Sequence, residues 1–265
     1  MRGSVRSSGS VRSLLRRSSA SATQSRSAST LLEARGLSVG YGSGAVVRDL
    51  DLSVEPGEVV ALLGPNGAGK STTLLALAGE LRPLDGVVSW KGSVSHAPLH
   101  RRARQGLAFI PEDRSVFSGL TVLQNSAVRW KATGGPGASS TSAGMFPELL
   151  PLASRRAGLL SGGEQRMLAV DRALGGRCSL LLADELSLGL APKTVGRILQ
   201  ALRRAASNGV GILVVEQHVH RVLDIADRVY VMQGGRLRWS GSATQARQDM
   251  DSIRDQYLSS QSHSK

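Results

Sequence analysis

An α/β fold is predicted by three observations. Three apolar runs of strand length (Val59-Val60-Ala61-Leu62-Leu63, Leu180-Leu181-Leu182-Ala183 and Gly211-Ile212-Leu213-Val214-Val215) alternate with stretches of helical spacing, the pattern of buried parallel strands. A glycine-rich turn joins the first run directly to a helical segment, Thr72 to Ala78. Three further stretches, Leu31–Arg35, Ala45–Val54 and Gly86–Trp90, alternate apolar and polar residues and predict a small antiparallel sheet beside the parallel one.

The chain has 265 residues and is 41% hydrophobic, enough for one compact α/β unit. Nothing approaches 18 consecutive apolar residues, so any membrane role is expected to come through a partner. The lone Cys178 is set in the apolar run Cys178-Ser179-Leu180-Leu181-Leu182 and is expected to pack as a small buried hydrophobe, which disfavours disulfides and thiolate metal sites. The net charge of +13 is unevenly spread. Arg2, Arg6, Arg12, Arg16, Arg17 and Arg26 precede the first acid, which leaves 27 of the 33 basic residues against 20 acidic ones in the rest. Residues 1–30, rich in Ser and Arg, lack the apolar content to offset the entropy of ordering and are expected to be a disordered basic arm. An incidental extension, a membrane-tethering arm and an organellar targeting segment all fit that composition.

Tyr41 stands in the Gly-rich link between the first two predicted strands, where stacking on a ligand ring and plain packing are both open. Gly40-Tyr41-Gly42-Ser43-Gly44 itself lacks the Lys and the following helix that a phosphate site needs. Gly64-Pro65-Asn66-Gly67-Ala68-Gly69-Lys70-Ser71, continuing into Thr72, has both. It matches the phosphate-loop pattern at every fixed position, between a credible strand and a credible helix. Glycines let backbone N–H groups and the helix N-terminus point at phosphate oxygens, Lys70 adds a point charge, and Ser71 would place its hydroxyl on Mg²⁺. Nucleotide binding is therefore expected.

Beyond it, Leu107–Ile110 reads as a strand, Pro111-Glu112-Asp113-Arg114 as a turn, Thr121–Lys131 as a helix, and Gly134–Gly144 as a flexible loop. Ser161-Gly162-Gly163 opens a helix through Leu174 and offers a second anion site at its N-terminus. The run from Leu180 ends in Asp184-Glu185; a carboxylate at the C-terminal edge of a parallel sheet beside a phosphate loop is where Mg²⁺ would be held, and a second one can activate water. Thr194–Ala206 is predicted helical, Gly211–Glu216 a strand ending at Gln217-His218, Arg228–Met232 and Arg236–Trp239 a hairpin, and Ala243–Leu258 a C-terminal helix.

In order, the phosphate loop, the Glu112 turn, Leu160-Ser161-Gly162-Gly163-Glu164-Gln165 and the strand ending Asp184-Glu185 resemble the ATP-binding subunits of ABC transporters over residues 31–258. Ile110–Arg114, Ser187-Leu188-Gly189-Leu190-Ala191-Pro192 and Val215-Glu216-Gln217 are similar to the second ATPase subunit of branched-chain amino acid importers. The resemblance implies a P-loop NTPase with a RecA-like core, an antiparallel β subdomain, a helical signature subdomain at about 112–175, and a short tail at 259–265. It further implies that Tyr41 stacks on adenine, that Lys70 and Ser71 hold phosphate and Mg²⁺, and that Glu112 senses the γ-phosphate. Asp184 would assist Mg²⁺, Glu185 would be the general base, and Gln217 would take the switch position. ATP and Mg²⁺ are the implied cofactors. The implied partners are a second, non-identical ATPase subunit, transmembrane permease subunits and, indirectly, a solute-binding protein, at the cytoplasmic face of the membrane.

Three departures stand out. Leu186 replaces the usual proline, Gln217 the usual histidine, and Asp171 the usual alanine; Asp171 is expected either to be neutralised by Arg172 or to destabilise the helical lobe. A catalytically weakened regulatory subunit is thus one alternative. A soluble ABC-type ATPase acting on ribosomes or nucleic acid is another, opposed by the single cassette and by the mere 91 positions between Lys70 and Ser161. Nucleic acid is not an expected partner.

Overall fold

Strand alternation continues further along the chain than its spacing suggests. In the computed structural model, which describes residues 30–113, 116–133, 144–216 and 219–249, β1 spans Leu32–Tyr41 and pairs with β2, Gly44–Val54. Its buried residues change parity, from Leu32 and Ala34 to Leu37 and Val39. A register shift between Ala34 and Leu37, with Gly36 at φ 56, absorbs the extra residue. That bulge is why a reading by alternation ends the strand at Arg35. The predicted arm, most of the 134–144 loop, Gln217-His218 and residues 250–265 lie outside the described residues.

From β3 (Val59–Leu63) the chain enters α1 (Lys70–Ala78), then β4 (Asp85–Trp90), the two-residue β5 (Ser93–Val94) and α2 (Leu99–Arg104). β6 (Leu107–Ile110) and α3 (Val122–Thr133) follow, then two 3₁₀ turns, Pro147–Leu152 and Ala157–Leu159. Next come α4 (Gly162–Leu174), β7 (Leu180–Asp184), α5 (Pro192–Ser207), β8 (Gly211–Glu216) and α6 (Val219–Leu223). β9 (Arg228–Gln233), β10 (Arg236–Ser242) and α7 (Ala243–Gln248) complete the described fold.

Two sheets result. The antiparallel one has the order β2-β1-β4-β5, and the other has the order β10-β9-β3-β8-β7-β6. β9, β3, β8, β7 and β6 run parallel, and β10 pairs antiparallel with β9 at the edge. The predicted hairpin therefore also extends the parallel sheet, a pairing that no local pattern announces. Every residue of β3, β7 and β8 is buried, as continuous apolar runs in a sheet covered on both faces require.

The period of two divides β3 between packing layers. Val60 and Leu62 join the core shared with α1 and the antiparallel sheet, whereas Val59 faces the layer of α4 and α5 and Leu63 faces α6 and α7. Helix α5 closes its side with Val195, Ile198, Leu199, Leu202 and Ala206 on one stripe. Arg102 is buried and caps α1 from outside, donating from Nη1 to Leu77 O at 2.6 Å and from Nη2 to Ser95 O at 2.7 Å. Arg228 bolts the two sheets: Nε and Nη2 reach the Glu58 carboxylate at 2.8 Å each, and Nη2 also reaches Ser53 O at 2.9 Å. Cys178 is only half-buried, because it precedes the strand that begins at Leu180 instead of belonging to it.

Candidate functional site

Lys70 is the first residue of α1, not a residue before it, because Gly69 takes the left-handed conformation (φ 99) that ends the loop and starts the helix. No side chain caps this N-terminus, so its N–H groups stay directed at the loop. Two glycines have steric reasons to be there. A Cβ at Gly64 would come within 2.5 Å of Met232 O, and one at Gly69 within 2.8 Å of Val47 Cγ2. β2 and β9 thus press the phosphate loop from both sides.

The loop wraps Lys70. Its Nζ donates to Gly64 O at 2.9 Å and Pro65 O at 3.1 Å, and Glu185 Oε1 stands 4.0 Å away. Burial pushes the ammonium below its usual range, and the carboxylates of Glu185, Asp184, Glu112 and Glu216 pull it back up. Opposite, burial raises the Asp184 carboxyl above the ordinary carboxylate range; a hydrogen bond from the Ser71 side chain opposes this, and Glu185 and Glu112 add to it. Asp184 Oδ1 is buried without a hydrogen-bond partner. A buried, partnerless carboxylate oxygen beside a serine hydroxyl is a hard-oxygen donor set that suits Mg²⁺, an ion that completes its shell with water and substrate phosphate. Among the described residues no cluster of three or more His, Cys, Asp or Glu could hold a metal unaided.

Glu185 follows the end of β7 with φ 45, a left-handed conformation rare outside glycine. Its N–H donates to Val215 O at 3.0 Å. The cleft these residues line measures about 420 Å³ and holds Asn66, Gly67, Gly69, Lys70, Ser71 and Thr72 of the loop together with Val46, Glu112, Glu185 and Leu188. Six expected loop positions therefore meet at one opening with Glu112 and Glu185, with Asp184 buried just behind.

Other expected residues lie elsewhere. Tyr41 is 58% exposed at the tip of the β1–β2 hairpin, which removes the packing alternative. Ser161 caps α4 with a capping box, its Oγ accepting from Glu164 N at 3.3 Å and its N–H donating to Glu164 Oε2 at 2.8 Å. Ser161, Gly162 and Gly163 do not line the phosphate-loop cleft; Gly162 faces a separate cavity of about 930 Å³ with Glu112, Phe117 and Leu188. Gln217 lies outside the described residues. Leu186 is fully packed in the α4–α5 layer, where its side chain fills the place expected of a proline.

The expectation that Arg172 neutralises Asp171 is corrected. Asp171 accepts from Met145 N at 2.9 Å and Ser126 Oγ at 3.4 Å, while Arg172 lies 4.8 Å from the centroid of Phe117. The i, i+1 spacing on a helix points the two side chains apart, so Asp171 ties α3 and the 144–146 turn to α4 instead.

Sequence reasoning missed Arg166, Ser187 and Glu216. Arg166 on α4 donates to Glu112 O at 3.0 Å and Pro111 O at 3.4 Å, holding the Glu112 turn. Glu216 is buried and accepts from Ser187 Oγ at 2.6 Å and Ser187 N at 3.1 Å. An acid ending an apolar strand, as Asp184 does, was the available signal for Glu216. Nothing local singled out Arg166.

The ABC transporter family matches residues 47–187. A high-affinity branched-chain amino acid transport ATP-binding protein of Pseudomonas aeruginosa is 39% identical over 74% of this chain and 86% of its own length. A probable branched-chain amino acid transport ATP-binding protein of Archaeoglobus fulgidus is 33% identical over 79% and 91%, and a lipopolysaccharide export system ATP-binding protein of Haemophilus influenzae is 32% identical over 88% and 98%. Among solved structures, an ATP-binding subunit of an ABC transporter superposes with a TM-score of 0.76 at 27% identity, covering 86% of this chain and 100% of that one. With the fold, the phosphate loop and these relatives in agreement, the chain belongs to the ABC transporter family and is an ATP-binding, ATP-hydrolysing transporter subunit.

Proposed function

We propose that this chain is the energy-coupling ATPase of an importer for branched-chain amino acids or a related small polar solute. The observation that carries the catalytic reading is the convergence of Lys70, Ser71, Asp184 and Glu185 on one cleft. ATP binds with its phosphates on the loop from Gly64 to Thr72 and its adenine toward exposed Tyr41. Ser71, Asp184 and Glu112 would hold Mg²⁺, which when bound neutralises phosphate charge and orients the γ-phosphate. Glu185 accepts the proton of the attacking water, standing 4.0 Å from Lys70 Nζ at the mouth of the cleft. Gln217 completes the γ-phosphate contacts.

Ser161, Gly162 and Gly163 do not line their own cleft, which supports their use on the phosphates of a second, head-to-tail ATPase subunit. Among the described residues no helix is long and apolar enough to cross a membrane, so coupling runs through permease subunits at the cytoplasmic face, with a solute-binding protein delivering the solute. The 39% identical branched-chain relative supports the solute class. The lipopolysaccharide-export relatives, at 32–33% identity, favour a second reading as an exporter motor. Assembly with candidate permease subunits in vesicles separates the two. ATP- and binding-protein-dependent uptake of labelled leucine supports the importer; hydrolysis stimulated by lipopolysaccharide without uptake overturns it.

A further inference from the structure

The ladder between β7 and β8 does not stop where the strands end. Its last backbone pair is Asp184 with Val215, and the next bond runs from Glu185 N to Val215 O at 3.0 Å. Two residues on, where the register would ask for another main-chain acceptor, the Glu216 side chain takes over and receives both the N–H and the hydroxyl of Ser187. Both residues are buried, Glu216 at 3% exposure and Ser187 at 5%. A buried carboxylate held by two donors, one of them a 2.6 Å hydroxyl bond, is a rigid fixture in a low-dielectric setting.

Glu185 is the first of the two anchored positions, and it has the left-handed φ of 45. Such a conformation persists only where its surroundings over-determine it. Leu186 is also packed at 1% exposure, so the stretch 185–187 is held by a bond at each end and a buried side chain in the middle. Just beyond, Leu188 lines the phosphate-loop cleft and Gly189 turns at φ 71. Arg166, which holds the Glu112 turn, also feels the Glu216 carboxylate. Burial lowers its guanidinium, and among the carboxylates that oppose this Glu216 acts most strongly, ahead of Glu112, Asp113 and Asp184.

We propose that Glu216 is a positioning residue: by clamping Ser187 it fixes the Glu185 peptide in its left-handed turn and keeps the Glu185 carboxylate aimed into the cleft beside Lys70. The proposal rests on Glu185 being the general base. Glu216 does not line the phosphate-loop cleft, and it reaches Lys70 only as the last of four carboxylates that oppose the effect of burial there, so its removal is expected to act on the placement of Glu185 more than on the binding of ATP.

The test uses the full chain assembled with its permease and compares Glu216→Ala, Glu216→Gln, Ser187→Ala, the Ser187→Ala/Glu216→Ala double variant and Glu185→Gln. Glu216→Ala should lower kcat by about 10- to 100-fold, the scale set by small misplacements of a reacting group, with KM and nucleotide affinity within about twofold of wild type. Glu216→Gln should recover most of that loss, because its amide oxygen still accepts from Ser187 N and its NH₂ donates to the hydroxyl. The double variant should be no slower than Glu216→Ala alone, since both changes break one clamp. Unchanged kcat in Glu216→Ala overturns the proposal. Glu216→Gln as inactive as Glu216→Ala also overturns it, because the carboxylate would then act chemically. Should Glu216→Ala fail to fold, Ser187→Ala decides: a fall in kcat at constant KM supports the clamp, and wild-type kcat removes it. Full activity of Glu185→Gln would instead sink the general-base assignment.

Discussion

Lys70 Nζ and Glu185 Oε1 stand 4.0 Å apart, with the two side chains only 5% and 9% exposed. The pair is too long for a tight ion pair, and Lys70 makes its short bonds to the carbonyls of Gly64 and Pro65. Lys70 is thereby held on the loop, far enough from Glu185 to leave its carboxylate available as an acceptor.

Removing the ammonium should therefore silence the site. Lys70→Ala is expected to lower ATP turnover by about 10²–10³-fold, the effect of losing one preorganised donor at a developing charge. Steady-state phosphate release measures it, and wild-type turnover would rule out the assigned role.

Glu185→Gln should separate binding from chemistry. An amide cannot take the proton from water, so hydrolysis should fall by about 10²–10⁴-fold while fluorescent ATP-analogue binding persists. With ATP trapped, size-exclusion chromatography should show association with a second ATPase subunit through Ser161, Gly162 and Gly163. A monomeric trapped form would count against the shared site.

Asp171 gives a pH dependence of known sign. Burial raises its folded-state pKa above the ordinary carboxylate value, outweighing the hydrogen bonds from Met145 and Ser126. The protonated form is favoured by folding, so its contribution is fully present below the unfolded pKa and is lost as pH rises through the folded one. Asp171→Asn keeps an acceptor for Met145 N and a donor for Ser126, and it does not titrate. Its melting temperature should exceed that of wild type by a few degrees at pH 7, with the gap closing toward pH 4. A lower melting temperature at pH 7 would contradict the burial argument.

Arg228 should matter for stability and not for chemistry. Its two bonds to Glu58 and two to Ser53 join β9 to β2 and the start of β3, with the guanidinium 5.4 Å from the Tyr230 ring centroid. Arg228→Ala leaves a half-buried carboxylate unpaired and is expected to cost about 2–4 kcal/mol in urea denaturation. Arg228→Lys should recover little, since an ammonium cannot reproduce the bidentate fork. Recovery to wild-type stability would show that charge alone suffices.

By itself the sequence determined the parts whose information is local. The phosphate loop from Gly64 to Ser71 needs glycines, a lysine and a hydroxyl at fixed spacing, and these are legible wherever a strand precedes and a helix follows. The buried strands Val59–Leu63, Leu180–Asp184 and Gly211–Glu216 announced themselves as unbroken apolar runs, and the start of α4 as a Ser-Gly-Gly turn opening a helix. Only the tertiary structure decided how these parts meet. The bulge at Gly36 carried β1 on to Tyr41, β9 joined the parallel sheet beside β3, and Asp171 turned to Met145 and not to its neighbour Arg172. The pairing of Ser187 with Glu216, 29 positions apart, belongs to the same class. Glu216 could be noticed as an acid ending an apolar strand, but nothing local pairs it with Ser187, because the bond exists only once β7 and β8 lie side by side, and long-range hydrogen bonds leave no periodicity in the chain that makes them.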